Sequence, residues 1–305
     1  MQSHLGSIIM LLVTMVIWGS TFVVTKGVNE QVQPFTLALV RVAIGAVVLL
    51  GCALIRQARG GSHSPWSSLP WGTIISMGLI GVVLYYAVFN YSLVYTSASQ
   101  GALVQSCIPA MTALVAVVWL REHASAMRWA GIALSMVGVL IVFSGADAES
   151  GSGSLLGNVL MFISAVLWGI YTSMAKRVAT YDPLQVTAGI ISVGAVMLLP
   201  LAAFEVGAAG MPSIDLQAWF GMAYLGAGAS GLAYMMYSAA LKHVDASEAG
   251  VYTNLIPIVG VITGIMLGDP LSARAIIGGV VVLVGVWLTS RQPTPVSPQR
   301  TSTAP

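Results

Sequence analysis

Charge is scarce in this chain. Asp, Glu, Lys and Arg make up 7% of its 305 residues, where an ordinary soluble domain carries roughly 25%. So few charged side chains cannot cover a folded surface in water. With 57% of residues hydrophobic, lipid is the matching solvent. A net charge of +2 gives no reason to expect nucleic acid as a partner. Cysteine is equally sparse. Cys52 and Cys107 both fall within apolar runs, so they read as small buried hydrophobes and exclude a disulfide framework. The four histidines, His4, His63, His123 and His243, lie at run ends or in loops, and no HExxH or comparable metal-ligand spacing occurs. An enzyme embedded in a membrane needs clustered His, Asp, Glu or Ser. No such cluster is present, so no catalytic residue, metal or cofactor is expected.

Long apolar runs fill the chain instead. They recur at roughly 6–27, 35–55, 71–91, 98–120, 127–145, 155–175, 183–204, 217–240, 247–267 and 274–290, each long enough to cross a hydrocarbon core as a helix. The first is read as a retained span, because Met1 to Gly6 lack the basic stretch of a cleavable signal. With the N-terminus placed in the cytoplasm, Arg56, Arg59, Arg121, Arg128, Lys176, Arg177, Lys242, Arg291 and Arg300 fall on the inner side, and only Lys26 and Arg274 on the outer. That bias predicts a multi-pass protein of the cytoplasmic membrane with both termini inside. The Pro/Ser/Thr-rich tail, 292–305, is expected to be disordered.

The first half of the chain returns in the second. Val16-Ile17-Trp18-Gly19 matches Val166-Leu167-Trp168-Gly169, Lys26 matches Lys176, Gly45-Ala46-Val47-Val48-Leu49-Leu50 matches Gly194-Ala195-Val196-Met197-Leu198-Leu199, and Pro109 matches Pro257. Two repeats of five spans follow, over 6–145 and 155–291. Five is an odd number, so the second repeat must enter from the opposite side. The expected fold is therefore an all-α membrane protein of ten transmembrane helices in two inverted five-helix repeats, the sequence form of a carrier. Gly260, Gly264 and Gly268 make a small-residue ridge that suits close helix packing or a homodimer.

The matched prolines point to a site. Each lies mid-span, where a missing N–H and a steric clash disturb the carbonyl four residues earlier. Those carbonyls belong to Gln105 and Thr253, with Asn254 adjacent. Pro109 and Pro257 are candidate hinges, with structural kinks as the plainer reading. Trp18 and Thr21 share a face of the first span with Thr14 and Thr25, and Trp168 and Tyr171 share one in the sixth with Ser164 and Ala175. Tryptophans this deep suit an interior cavity, a few Å to either side of the midplane, as an outer and an inner gate. Tyr86 and Asn90 on the third span, with Tyr234 and Tyr237 on the eighth, extend it; Tyr85 is a weaker candidate. No carboxylate lies at mid-membrane depth. Arg41, the one charge within a span, is expected to snorkel to the interface, with attraction of a substrate carboxylate as the alternative. Neutral, zwitterionic or anionic solutes fit better than cations.

Trp18-Gly19-Ser20-Thr21-Phe22, Leu167-Trp168-Gly169, the mid-helix prolines, Leu120-Arg121-Glu122, Leu267-Gly268-Asp269, Gly138 and Gly285 together resemble the drug/metabolite transporter superfamily, in its ten-helix EamA-type branch. The resemblance implies a carrier of the cytoplasmic membrane that works by alternating access through a central cavity lined by helices one, three, four, six, eight and nine. Its partners would be a small-molecule substrate and membrane lipid. Members of the family characterised as exporters move amino acids, related metabolites or drugs. The expectation here is export of a small metabolite such as an amino acid, with bulkier amphipathic drugs as the alternative. Short relatives that export cationic drugs use a first-span Glu. Thr14 stands at that depth here, which weighs against cationic cargo.

Overall fold

The computed structural model describes residues 4–59, 65–122, 124–145, 154–240, 244 and 252–290. The expected tail and His63, His123, His243 and Glu248 lie outside them. Helices α1 His4–Asn29, α2 Pro34–Ala58, α3 Trp71–Tyr95, α4 Ala98–Trp119, α5 Ala126–Ser144, α6 Leu155–Val178 and α7 Pro183–Ala209 are each long and apolar enough to span a membrane. Next come α8, a continuous helical run over 216–240, the shorter apolar α9 Leu255–Met266, and a further full-length span, α10 Ala273–Ser290.

Short polar residues set several helix starts. Ser97, Ser125, Ser154, Asp182 and Asp215 each accept a hydrogen bond from the backbone N–H three residues on, capping α4, α5, α6, α7 and α8. The narrow division between α3 and α4 falls at Thr96, whose backbone is extended before the Ser97 cap. Glu205, buried near the end of α7, accepts from the N–H of Phe35 (3.2 Å) and of Thr36 (2.8 Å), from the Thr36 hydroxyl (3.0 Å) and from the Tyr91 hydroxyl (3.1 Å). One carboxylate thus satisfies the open first turn of α2 and ties it to α3 and α7.

Three pairs of corresponding helices, α2 with α7, α4 with α9 and α5 with α10, pack against each other, and two of them show their antiparallel course directly. In the α5–α10 pair, Gly131 faces Gly285 and Thr289, Gly138 faces Gly278 and Val282, and Gly145 faces Ser272 and Ala275. In the α2–α7 pair, Thr36 meets Glu205 at one end and Arg56 meets Asp182 at the other. Other contacts include exchanged pairs: α1 with α8 as α6 with α3, α1 with α9 as α6 with α4, and α2 with α8 as α7 with α3. The repeats are therefore related by a two-fold axis lying across the helices, and the second is inverted. An even number of crossings puts the start of α1 and the end of α10 on one side, the terminal face. The other is the far face.

The α5–α10 contact is backbone on backbone. A Cβ at Gly138 would stand 2.6 Å from the amide nitrogen of Val282 and 2.8 Å from the carbonyl oxygen of Gly278. Dispersion at such short range replaces the hydrophobic drive that lipid does not supply. The ridge on α9 is used in the same way. Gly260 faces Ala102 and Phe22, and Gly264 faces Ser99, so these two glycines pack within the chain, while Gly268 has open space beside it. Apolar side chains such as Val47, Leu140 and Val196 stay outward, where lipid covers them.

Gly138→Ala should therefore lower the thermal stability of the detergent-solubilised protein by about 1–3 kcal/mol, the usual size of an overpacking penalty. Gly207→Ala, with open space at that position, should leave stability unchanged or slightly raised. Equal melting temperatures for the two variants would refute close packing at α5–α10.

Candidate functional site: an aromatic cavity between the halves

Four helices lose their regularity at mid-depth, at matched positions. Regular α-helix in α4 stops at Gln105 and resumes at Ile108, with Pro109 in the first turn of the new segment. Likewise α9 starts at Leu255 after a turn at Asn254, with Pro257 in its first turn. Proline suits that place because the first-turn N–H has no helical acceptor. The interruption expected of both prolines is present; whether they act as hinges belongs to motion. In α3 and α8 the irregularity is a π-helical stretch, Leu79–Leu84 and Tyr224–Leu232. Each ends beside the aromatic residues Tyr85, Tyr86 and Tyr234. A π segment shifts the register of everything after it, which neither hydropathy nor spacing discloses.

These irregular segments surround a cavity of ≈ 560 Å³ between the two halves. Trp18 and Thr21 reach it from α1, Tyr86 from α3, Gln105 and Pro109 from α4, Trp168 and Tyr171 from α6, Tyr234 and Tyr237 from α8, and Thr253, Asn254 and Pro257 from the α9 segment. All the candidate residues except Asn90 line it. Asn90 lies one turn further towards the far face, beyond the contact of Phe22 with Phe89 (ring centroids 5.4 Å) that floors the cavity. Its side-chain amide instead donates to the Pro34 carbonyl at 2.9 Å, and its own carbonyl accepts from the Asn29 amide at 2.8 Å. A four-residue spacing gives a shared face, but not a shared depth.

Other expectations need correction as well. Thr14 bonds back to the Met10 carbonyl at 2.8 Å, and neither it nor Thr25 lines the cavity, although both are buried. Ser164 serves the cavity indirectly by accepting from Gln105 Nε2 at 2.6 Å. Tyr85, the weaker candidate, is a wall: its ring centroid lies 4.8 Å from that of Trp168. Arg41 does not snorkel. It turns inward to line the cavity and is only 5% exposed.

The aromatic walls repeat across the axis. Trp18 packs on Tyr234 at 5.3 Å and Tyr237 at 5.4 Å, and its indole N–H donates to the Ala229 carbonyl at 3.1 Å, within the π stretch of α8. Trp168 packs on Tyr171 at 5.0 Å as well as on Tyr85. The glycine after each tryptophan explains the Trp-Gly pairing. A Cβ at Gly19 would lie 2.8 Å from the Ile256 carbonyl oxygen of α9, and one at Gly169 would lie 3.0 Å from the Thr112 amide nitrogen of α4. Each glycine lets its helix press on an interrupted neighbour, which places the tryptophan over the break.

Polar contacts join the halves at both ends. On the far face, Asp269 accepts from the Ser99 N–H at 2.8 Å and Thr96 donates to Asn158 at 2.7 Å, while Lys26, within the first repeat, donates to the Thr96 carbonyl at 2.7 Å. On the terminal face Arg56 pairs with Asp182 at 2.7 Å, and Glu122 pairs with Lys176 and with Arg128 at 3.4 Å. A smaller space of ≈ 140 Å³ beside Arg56 and Asp182 shares Thr187 and Tyr234 with the cavity, so the cavity continues towards this face. Burial opposes the charge on Asp182, but Arg56 and the Gln185 N–H outweigh it and hold the carboxyl below its usual range. The hydrogen bond from Lys176, stronger in effect than partial burial, does the same for Glu122. Among the described residues no group of three His, Cys, Asp or Glu is placed to hold a metal ion.

Known proteins agree with this architecture. The EamA-like transporter family matches residues 5–144 and 155–291. An uncharacterized transporter of Bacillus subtilis, YyaM, is 28% identical over 295 residues, covering 95% of each chain. Another uncharacterized transporter, from Archaeoglobus fulgidus, is 26% identical over 286 residues, covering 93% of this chain and 98% of its own. A solved crystal structure superposes with a TM-score of 0.61 at 22% identity over 94% of this chain and 96% of its own, a likeness of fold. The chain is a multi-pass membrane protein that belongs to the EamA-like transporter family, within the drug/metabolite transporter superfamily.

Proposed function

We propose that this chain is a secondary carrier of the cytoplasmic membrane that exports a small amphipathic metabolite of amino-acid size by alternating access. The observation that carries this reading is the position of the cavity. It lies between the two halves and is lined by both, and polar pairs join the halves at each end. A volume of ≈ 560 Å³ is in the range of small-molecule sites. Rocking the halves about the axis would open one end while closing the other, with α4 and α9 bending at their interruptions. The positive-inside bias assigns the terminal face to the cytoplasm, so the continuation past Thr187 is the loading route. The Arg56–Asp182 and Glu122–Lys176 pairs latch it. Both carboxyls titrate below their ordinary values when paired. The pairs are therefore intact at neutral pH and weaken only as pH falls through those lowered values.

Purified protein in proteoliposomes, offered labelled amino acids and neutral metabolites, should accumulate one chemical class. Trp18→Ala and Trp168→Ala should each cut that flux about three- to tenfold, the loss expected for one aromatic contact, with melting temperature little changed. Wild-type flux in both folded variants would remove the cavity from the transport path.

The latch is testable separately. With Cys52 and Cys107 replaced by alanine, oxidising an Arg56→Cys/Asp182→Cys pair should stop flux, and reduction should restore it. Undiminished flux in the cross-linked protein would mean that the terminal face does not part there.

A further inference from the structure

A cation buried without a counter-ion among the described residues marks the cavity. Arg41 leaves α2 two turns below Pro34 and turns away from lipid, with 5% of its surface exposed. Its Nε donates to the Ser230 hydroxyl at 3.1 Å, and its guanidinium carbon stands 4.4 Å from the centre of the Tyr86 ring. Its Nη1 is buried and has no hydrogen-bond partner. The carboxylates that form ion pairs among the described residues, Glu122 and Asp182, are both at the terminal face. Guanidinium does not lose its proton in proteins, so Arg41 cannot escape the penalty by neutralising. Ser230 and the Tyr86 face orient the group and soften its charge, but neither supplies an anion.

Arg41 is also the only charged side chain among the described residues that line the cavity. Its fork presents paired N–H donors in the geometry that a carboxylate accepts. Around it stand flat rings, Tyr85, Tyr86 and Tyr234, with Trp168 beyond Tyr85. One negative charge entering this space would complete the site. A second charge, of either sign, would find no partner among the described lining.

We infer that Arg41 is the anchor for a carboxylate group of the transported solute, and that the solute is an organic acid with a flat apolar body whose amino group, where it has one, adds nothing to recognition. This rests on the carrier reading and narrows it. Loading the cavity neutralises Arg41, so the binding-competent state of the free protein carries an uncompensated charge that the solute removes.

Binding to the detergent-purified full chain, measured by isothermal titration, tests the anchor without requiring transport. Phenylacetate is expected to bind at least as well as phenylalanine, and phenylacetamide and phenethylamine about tenfold or more weakly, the range expected when a buried charge loses its partner. Arg41→Gln should remove the preference for acid over amide, and Arg41→Lys should restore part of it. Should Arg41→Gln not fold, phenylglyoxal labelling of Arg41 in the unaltered protein serves instead, slowed by phenylacetate and not by phenylacetamide. Equal affinity for acid and amide, binding of phenylalanine but not phenylacetate, no binding of any probe, or unprotected labelling would each overturn the anchor. Phenylacetate binding without flux in proteoliposomes would retire the carrier reading and leave the anchor standing. Flux of a solute without a carboxylate would do the reverse.

Discussion

Helices in lipid gain nothing by hiding apolar side chains from their surroundings, so two halves of a membrane protein hold together where their backbones can touch. That requirement organises this molecule. Gly131, Gly138 and Gly145 meet Gly285, Gly278 and Ala275 along α5 and α10, one antiparallel seam that spans the whole depth of the fold. Gly19 of α1 against α9 and Gly169 of α6 against α4 make the same kind of contact near the centre. Elsewhere the halves share apolar cores, such as Val42 and Leu49 with Ile190 and Leu198, and near the faces they also meet through polar groups, which can exchange partners with water.

The cavity lies where backbone regularity fails: at two proline-led restarts and two π segments, all at equivalent depths. Irregular backbone is tolerated in the hydrocarbon layer only where protein or a cavity receives its polar groups. Here Trp18 donates into one π stretch, and the breaks in α4 and α9 border the cavity. The features that would destabilise a lipid-facing helix are gathered on the axis, where they shape a site.

Charge is distributed by the same economy. Carboxylates near the faces are consumed by structure: Glu205 caps α2, Asp182 caps α7 and pairs with Arg56, and Asp269 holds the start of α4. What remains inside, among the described residues of the lining, is a single arginine among rings. A central carboxylate of the kind that recruits cations is missing from the described cavity lining, so the electrostatics of the interior favour negative charge.

The apolar helices and the duplication were legible in the sequence, because hydropathy sets which segments enter lipid and a repeated unit returns its residues at a fixed offset. Trp18, Trp168, Pro109 and Pro257 stood out because each is a residue out of its usual place, recurring at the same offset. Depth and direction were not legible. Asn90 shares a helical face with Tyr86 but sits past the Phe22–Phe89 floor, Tyr85 lines a wall although its spacing argued otherwise, and Arg41 turns inward. Snorkelling and inward burial start from the same helix position. The choice between them rests on Ser230 and Tyr86, which come from distant parts of the chain. Composition and periodicity determined the membrane, the helices and their symmetry, since these depend on each segment's own transfer to lipid. Which side chains share the cavity was decided only by tertiary structure, since π segments, helix breaks and glycine contacts rotate and slide each helix by amounts that no single segment records.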